Sequence, residues 1–324
     1  MRVKKKGEKL NFAEFYSKYG IALILIVLVV VASLLSPAFL TAKNLINVIR
    51  QVVVTMLVAC GAQYVLLAGH VDLSPGAVLA FCGCTCTLVM IKTGSVALGI
   101  VVALAMGLLF GLLNGILTTV FNVPSFIITL ATQQAARGFC LLLTGGTAIS
   151  VAAISDQFSW IGQGYIGFVP TPVIIMLIIV IISWFILNKL PYGRYLYATG
   201  GNLSAARASG INTKSTIVKA FVFQGLLAAL AGIVLMSRMN SGQPAAGDGM
   251  EFDAITAVIV GGTSMSGGVG NIYGTIIGAV FIGVLNNIMN LANVNAYWQQ
   301  IVQGLVIAIA VIIDARVRSS KKSV

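Results

Sequence analysis

The side chains that could carry out chemistry are few in this chain and lie far apart. Its 324 residues hold one histidine, His70, and eight carboxylates, and no Ser, His and Asp cluster suggests nucleophilic catalysis. The string from Gly262 to Gly267 is followed by Gly268, where a phosphate-binding loop needs a lysine and then a hydroxyl residue. We therefore expect no catalytic residue, no cofactor and no nucleotide site in this chain.

The five cysteines are the remaining candidates for metal binding. They all lie inside apolar runs, and Cys82, Cys84 and Cys86 are spaced by two residues. On a helix only Cys82 and Cys86 would share a face, and no histidine accompanies them. We expect small packing residues and no metal site.

A few polar side chains interrupt the apolar runs. Arg137 stands near Gln133 and Gln134. Because ionisable groups inside a bilayer are costly, Arg137 could face a polar pathway. It could equally lie near a helix end and extend its guanidinium to the lipid headgroups. The sequence favours neither position for this side chain.

Asn286 and Asn290 are spaced so that they would share one face of a helix. Their amides both donate and accept hydrogen bonds, so they could line a path for a hydroxyl-rich solute. They could also hold neighbouring helices together, and this second role is somewhat favoured. Asp72, beside His70 in a Gly/Pro-rich corner, is expected to pair with a neighbouring helix.

The composition identifies the class of protein. Hydrophobic residues make up 58% of the chain and charged residues 9%, whereas about 25% are charged in soluble domains. The mean hydropathy of +1.00 and the repeated apolar runs predict several membrane-spanning helices. The ten-residue alternation of a membrane β-barrel is missing. We expect an all-α polytopic membrane protein.

The apolar runs predict about ten spans within one transmembrane domain, residues 21–313. A cytoplasmic segment, residues 1–20, precedes this domain, and a cytoplasmic basic tail, residues 314–324, follows it. The eighth run is too short to cross alone, so we expect a half-helix that meets the Gly-rich stretch 261–271. The spans are expected at 21–40, 45–68, 75–92, 96–120, 125–143, 169–188, 216–237, 254–263, 272–291 and 297–313.

The distribution of positive charge fixes the orientation. An even number of spans places both ends on one side, and this arrangement puts fifteen of the twenty Lys and Arg residues on that side. Because cytoplasmic loops carry the excess of Lys and Arg, that side is cytoplasmic. The net charge of +12 therefore reflects membrane topology, and we expect no nucleic-acid partner.

One basic segment, 189–219, interrupts the apolar chain and contains no acid. Asn202 is a favourable N-cap, Leu203–Ser209 would form about two turns, and Gly210 would end the helix. Small alanines and the apolar Leu203 suit docking to another protein, although an ordinary solvated loop stays possible. Without an ATP site or a titratable relay of its own, a transporter needs an external motor. We expect that motor to dock here.

Four strings carry a resemblance to a known family. The chain resembles the membrane-spanning permeases of bacterial carbohydrate ATP-binding cassette (ABC) importers of the ribose type. The third and fourth strings are the more specific, and together the strings cover most of the chain. They are GHVDLSPGAVLAF at 69–81, NVPSFIITLATQQAARG at 122–138, YGRYLYATGGNLSAARASGI at 192–211 and AVIVGGTSMSGGVGNIYGTIIGAVFIGVLNN at 257–287.

The resemblance implies an importer-type permease fold in the inner membrane of a bacterium. It implies ATP-binding subunits on the cytoplasmic face, an extracytoplasmic sugar-binding protein, a second permease copy in a homodimer or heterodimer, and surrounding membrane lipid. The cargo would be a ribose-like monosaccharide or a related polyol. A secondary transporter or channel working without an ATPase, and a non-transporting scaffold, are the alternatives.

The resemblance also assigns a coupling role within a cytoplasmic loop, residues 189–215. The matching positions, together with Leu203 from the helix argument, are Gly200, Gly201, Asn202, Leu203, Ala205, Ala206, Ser209, Gly210 and Ile211. By the separate argument from polar residues in apolar runs, the candidate path residues are Gln133, Arg137, Asn286 and Asn290.

Overall fold

A computed structural model describes residues 12–151 and 156–322, with side chains for 21–151 and 156–314. Helices dominate the described chain. The predicted cytoplasmic segment 1–20 and nearly all of the basic tail 314–324 lie outside the described side chains. The helices are α1 (Phe12–Leu35), α2 (Ala42–Leu67), α3 (Pro75–Thr93), α4 (Val96–Val120), α5 (Ser125–Thr144), α6 (Asp156–Gln163), α7 (Thr171–Lys189), α8 (Pro191–Gly201), α9 (Leu203–Ala208), α10 (Thr213–Met239), α11 (Met250–Val260), α12 (Ile272–Leu291) and α13 (Ala296–Lys322).

Eight of the described helices are long and apolar enough to cross a membrane, which confirms the all-α polytopic class. The other two predicted spans, the first and the eighth, are shorter. The apolar part of α1 covers Ile21–Leu35, and α11 has 11 residues. At about 1.5 Å per residue, α11 covers roughly half of a 30 Å hydrocarbon layer.

Helix α10 lies at the centre of the fold and packs against α2, α3 and α4. The α4 side of this contact is a glycine stripe, Gly107, Gly111 and Gly115, that the sequence shows at four-residue spacing. A Cβ atom on Gly111 would lie 2.4 Å from the carbonyl oxygen of Phe221 in α10. The absence of side chains therefore lets the two helix backbones touch.

The Gly-rich stretch 261–271 is irregular backbone packed against other parts of the protein. The Thr263 hydroxyl donates to Oε1 of Gln63 in α2 at 2.8 Å, and the Gly268 N–H donates to the Leu67 carbonyl at 2.9 Å. Non-helical backbone at membrane depth needs such protein partners. The expected half-helix followed by an irregular segment is what the structure shows.

The stretches 144–170 and 240–249, which the predicted topology places outside the cytoplasm, carry short elements that the sequence did not predict. Strand β1 (Ile149–Ser150) pairs antiparallel with β4 (Ser241–Gly242), and β2 (Tyr165–Ile166) pairs with β3 (Val169–Pro170). The β1–β4 ladder joins segments that are far apart in sequence, whereas β2 and β3 form a local hairpin.

The basic segment 189–219 holds one more helix than predicted. The sequence predicts a single helix at Leu203–Ser209, whereas α8 fills 191–201 and α10 already starts at Thr213. Pro191 stands in the first turn of α8, where its fixed φ is favourable. Leu196 is fully buried among residues of α2, α7 and α10, so tertiary packing supports a Gly-containing helix that local preferences disfavour.

Candidate functional site

The two ends of α9 are held by the residues that the sequence indicated. Oδ1 of Asn202 accepts a hydrogen bond from the Ala205 N–H at 2.9 Å. At the other end Gly210 adopts a φ of +80°, the Gly210 N–H donates to Arg207 O at 2.9 Å and the Ile211 N–H donates to Ala206 O at 3.1 Å. This pair of bonds is a Schellman motif. The predicted helix is confirmed and ends one residue earlier, at Ala208.

The short helix α9 has one face turned to the protein and another turned outward. Ala206 is only 3% exposed, and Nε of Arg207 donates to the Thr213 hydroxyl at 3.1 Å. Leu203, Ala205 and Ala208 are exposed. The sequence predicts Ala206 as one of the docking alanines, but its side chain packs α9 against the rest of this chain. The apolar part of the outward surface is therefore Leu203, Ala205 and Ala208.

The residues just before α9 pack against the end of α2 and the Gly-rich stretch 261–271. A Cβ atom on Gly200 would lie 1.8 Å from the Leu67 carbonyl oxygen and 2.6 Å from the Gly268 nitrogen, whereas one on Gly201 would meet nothing within 4 Å. The Tyr197 hydroxyl donates to Gly270 O at 2.9 Å. The end of α8 is thus wedged between the end of α2 and the irregular stretch 261–271.

The two Gly-rich corners of the sequence, 69–76 and 261–271, meet at this wedge. A Cβ atom on Gly267 would lie 2.8 Å from the Gly69 nitrogen and 2.9 Å from the Gly200 Cα. The α8–α9 unit therefore connects an exposed surface, predicted to be cytoplasmic, with the junction of α2, α11 and α12.

The predicted path residues on α5 each bind another segment. Nε2 of Gln133 donates to Oε1 of Glu251 in α11 at 2.8 Å. Arg137 donates to the carbonyl oxygens of Pro244 and, at 3.0 Å, Ala246. The sequence left two positions open for Arg137, a polar pathway or the lipid headgroups. The structure shows neither, because backbone carbonyls of the stretch before α11 bind the guanidinium.

Asn286 and Asn290 link α12 to its neighbours. Nδ2 of Asn286 donates to Oδ2 of Asp253 at 3.2 Å, and its Oδ1 accepts from Nε2 of Gln303 at 3.1 Å. Oδ1 of Asn290 accepts from Nε2 of Gln299 at 3.0 Å. The helix-linking role that the sequence favoured is present, and it gathers polar groups around α11.

Two acids of this polar group were not predicted as site residues. Glu251 and Asp253 lie in the first turn of α11, and Glu251 is 2% exposed. Both lie between the seventh and eighth spans that the sequence predicts, 216–237 and 254–263. Acids ahead of a short apolar run are typical of a helix first turn, and that signal could have placed them on α11.

The remaining candidate residues are structural in the described chain. Asp72 is buried and accepts from the Ser74 N–H at 2.8 Å and the Ser74 hydroxyl at 2.6 Å. Nδ2 of Asn114 in α4 donates to Oγ of Ser74 at 3.0 Å, so Asp72 reaches the neighbouring helix through Ser74. The five cysteines are buried free thiols, and no group of three metal-binding side chains occurs among the described residues.

Most of the chain is similar to known proteins. The profile of a family described as "Branched-chain amino acid transport system / permease component" matches residues 44–311. No solved structure matches the chain. The profile covers α2 to α12 and most of α13, which are the helices that build the wedge and the polar group.

The chain is similar to three named relatives over nearly the full length of each protein. The chain is 40% identical over 313 residues to the ribose import permease protein RbsC of Haemophilus influenzae, covering 95% of this chain and 97% of that protein. It is 38% identical to the D-allose transport system permease protein AlsC of Escherichia coli, covering 94% and 93%. It is 34% identical to the xylose transport system permease protein XylH of Haemophilus influenzae, covering 88% and 91%.

These matches and the eight apolar helices describe a multi-pass protein of a bacterial inner membrane, which is a transport subunit and not an enzyme. The chain belongs to the family of membrane-spanning permease subunits of ABC importers.

Proposed function

We propose that this permease imports a small sugar, a ribose-like monosaccharide or a related polyol, with energy from ATP hydrolysed in a partner subunit. The relatives named for ribose, allose and xylose support a sugar over the branched-chain amino acids of the family description. The neutral amides of Gln133, Asn286 and Gln303 also suit hydroxyl groups, because amides both donate and accept.

The contact of Gly200 is the observation that supports a coupling role for α8 and α9. Leu203, Ala205 and Ala208 offer an exposed surface to an ATP-binding subunit, and the basic residues around them favour an acidic partner surface. A displacement of α9 would pass through Gly200 to the end of α2 and to the stretch 261–271, because there is no free space at that contact.

The sugar path is proposed beside α11. Helix α5 reaches α11 through Gln133 and Glu251, and α13 reaches α12 through Gln303 and Asn286. Few of the described α5 and α13 side chains are buried, so a second permease copy could cover this side and enclose the path. In this arrangement the short half-helix α11, rather than a full span, lies between the sugar path and the end of α8.

An importer permease works with an ATPase and a substrate-binding protein, and the proposal adds two permease copies to that complex. Movement of the docked ATP-binding subunits would then re-pack the irregular stretch 261–271 in each copy. The sugar would be released to the cytoplasm when this stretch shifts against α2.

Reconstitution in vesicles with the ATP-binding subunit and the binding protein tests the proposal. We expect uptake of labelled ribose that requires ATP, the binding protein and this chain, and that unlabelled xylose or allose inhibits by competition. Leucine should not compete. Uptake without ATP would indicate a secondary transporter, and ATP-driven leucine uptake would overturn the sugar assignment.

A further inference from the structure

A cavity separate from the polar group around α11 lies beside α9. It measures about 260 Å³ and opens between the end of α4, the 122–124 turn, α9 and the start of α10. Leu203 and Ile217 provide apolar lining. The polar side chains that line it are His70, Thr118, Thr119, Asn122, Arg207 and Lys214.

The side chains that line this cavity carry positive charge and no negative charge. No carboxylate is among the lining residues. Burial lowers the pKa of His70, which lies in the corner between α2 and α3, and so disfavours its charged form. Arg207 and Lys214 therefore supply the permanent charge, and the bond from Nε of Arg207 to Thr213 fixes the guanidinium beside the cavity.

Thr118 adds a second observation that indicates a missing ligand. Its side chain is 4% exposed, and its Oγ1 has no hydrogen-bond partner within the described part of the chain. Buried hydroxyl groups in native proteins almost always have a partner. A ligand with acceptor oxygens in this cavity would provide one.

The cavity also borders the lipid-facing surface. Val120, Phe121 and Phe126 are more than half exposed, and they flank the lining segment Asn122–Pro124 in the chain. Basic cavities at the cytoplasmic ends of membrane helices attract anionic lipid headgroups. The continuity of this apolar surface with the cavity favours a lipid over an acidic peptide.

We propose that the cavity binds the phosphate of an anionic phospholipid from the cytoplasmic leaflet. Oxygens of the phosphate would lie between Arg207 and Lys214, and the acyl chains would follow the exposed apolar side chains of α4 and α5. Because Leu203 of α9 also lines the cavity, a bound headgroup would hold α9 in its place. The proposal depends on the proposed function only for the cytoplasmic side of this surface.

Native mass spectrometry of the full-length chain in detergent tests this binding without transport, so it can fail independently of the sugar proposal. The chain is incubated with phosphatidylglycerol or with zwitterionic phosphatidylcholine. We expect one retained phosphatidylglycerol per chain in the wild type and in Lys219→Gln, an exposed basic position outside the cavity. Retention in Lys214→Gln should fall about five-fold.

Competition with free inorganic phosphate distinguishes recognition of the phosphate group alone from recognition of the whole lipid. Displacement of phosphatidylglycerol by millimolar phosphate would show that the phosphate group alone is recognised, and no displacement would show that the lipid is needed; both support the site. Equal retention in Lys214→Gln and Lys219→Gln overturns it. Loss of the ATP-binding subunit from Lys214→Gln with unchanged lipid retention also overturns it and assigns the cavity to an acidic side chain of that partner.

Discussion

At the scale of single residues, two adjacent glycines differ in the space that a side chain would find. A Cβ atom on Gly200 would overlap the Leu67 carbonyl, and one on Gly201 would meet nothing within 4 Å. Neither residue has a positive φ, so an alanine at either position differs only in packing. This pair gives a matched test of the contact that the end of α8 makes with Leu67 and Gly268.

We predict that Gly200→Ala destabilises the folded chain by about 1–3 kcal/mol through overpacking, lowers the melting temperature in detergent and reduces sugar uptake. Gly201→Ala should melt and transport like the wild type. Thermal unfolding and vesicle uptake of the two variants measure the difference. Equal melting temperatures and equal uptake would show that the wedge has no mechanical role.

Asn202 is the second residue whose role can be isolated. Replacing it with alanine removes the acceptor for the Ala205 N–H and should destabilise the first turn of α9 by about 1 kcal/mol. Amide hydrogen exchange in 203–208 should therefore be roughly five-fold faster. Asn202→Asp keeps an acceptor and should restore slow exchange. If exchange is unchanged in Asn202→Ala, the cap does not stabilise α9.

At the scale of elements, α5 is tied to the stretch before α11 through Arg137. In Arg137→Ala the two accepting carbonyls lose charge-assisted hydrogen bonds, each worth about 1.5–3 kcal/mol. We predict faster hydrogen exchange in 243–249 and lower uptake, with an intermediate effect for Arg137→Lys. Gln134→Ala, a change at an exposed neighbour, is the control. Exchange in Arg137→Ala that matches the control would contradict this tie.

The elements also show what sequence could and could not predict. Helix α9 was predictable because Asn202 and Gly210 act through bonds within a few residues of themselves. Helix α8 was missed because it depends on burial of Leu196 against residues of α2, α7 and α10, which only the folded chain brings together. The buried acids Glu251 and Asp253 were missed for a related reason: only the folded chain brings Gln133 and Asn286 to them.

At the scale of the whole molecule, the interior helices α2, α3, α10 and α12 hold the chain together, and α5 and α13 remain largely exposed. The end of this interior formed by Leu67 and the stretch 261–271 is in direct contact with the α8–α9 unit. The polar group around α11 lies next to the exposed helices. A complex with two permease copies and docked ATP-binding subunits would bury both of these surfaces.

The most direct test of this coupling is Ala205→Asp measured in the complete complex. Ala205 is exposed at the third position of α9, where an acid favours the helix, so the variant should fold and insert like the wild type. The added charge lies in the proposed docking surface, and Ala205→Ser is the uncharged control.

We predict that Ala205→Asp loses substrate-stimulated ATP hydrolysis and sugar uptake, with an unchanged melting temperature, while Ala205→Ser keeps both activities. Wild-type uptake and ATP hydrolysis in Ala205→Asp would contradict the assignment of α9 as the surface through which ATP hydrolysis drives transport.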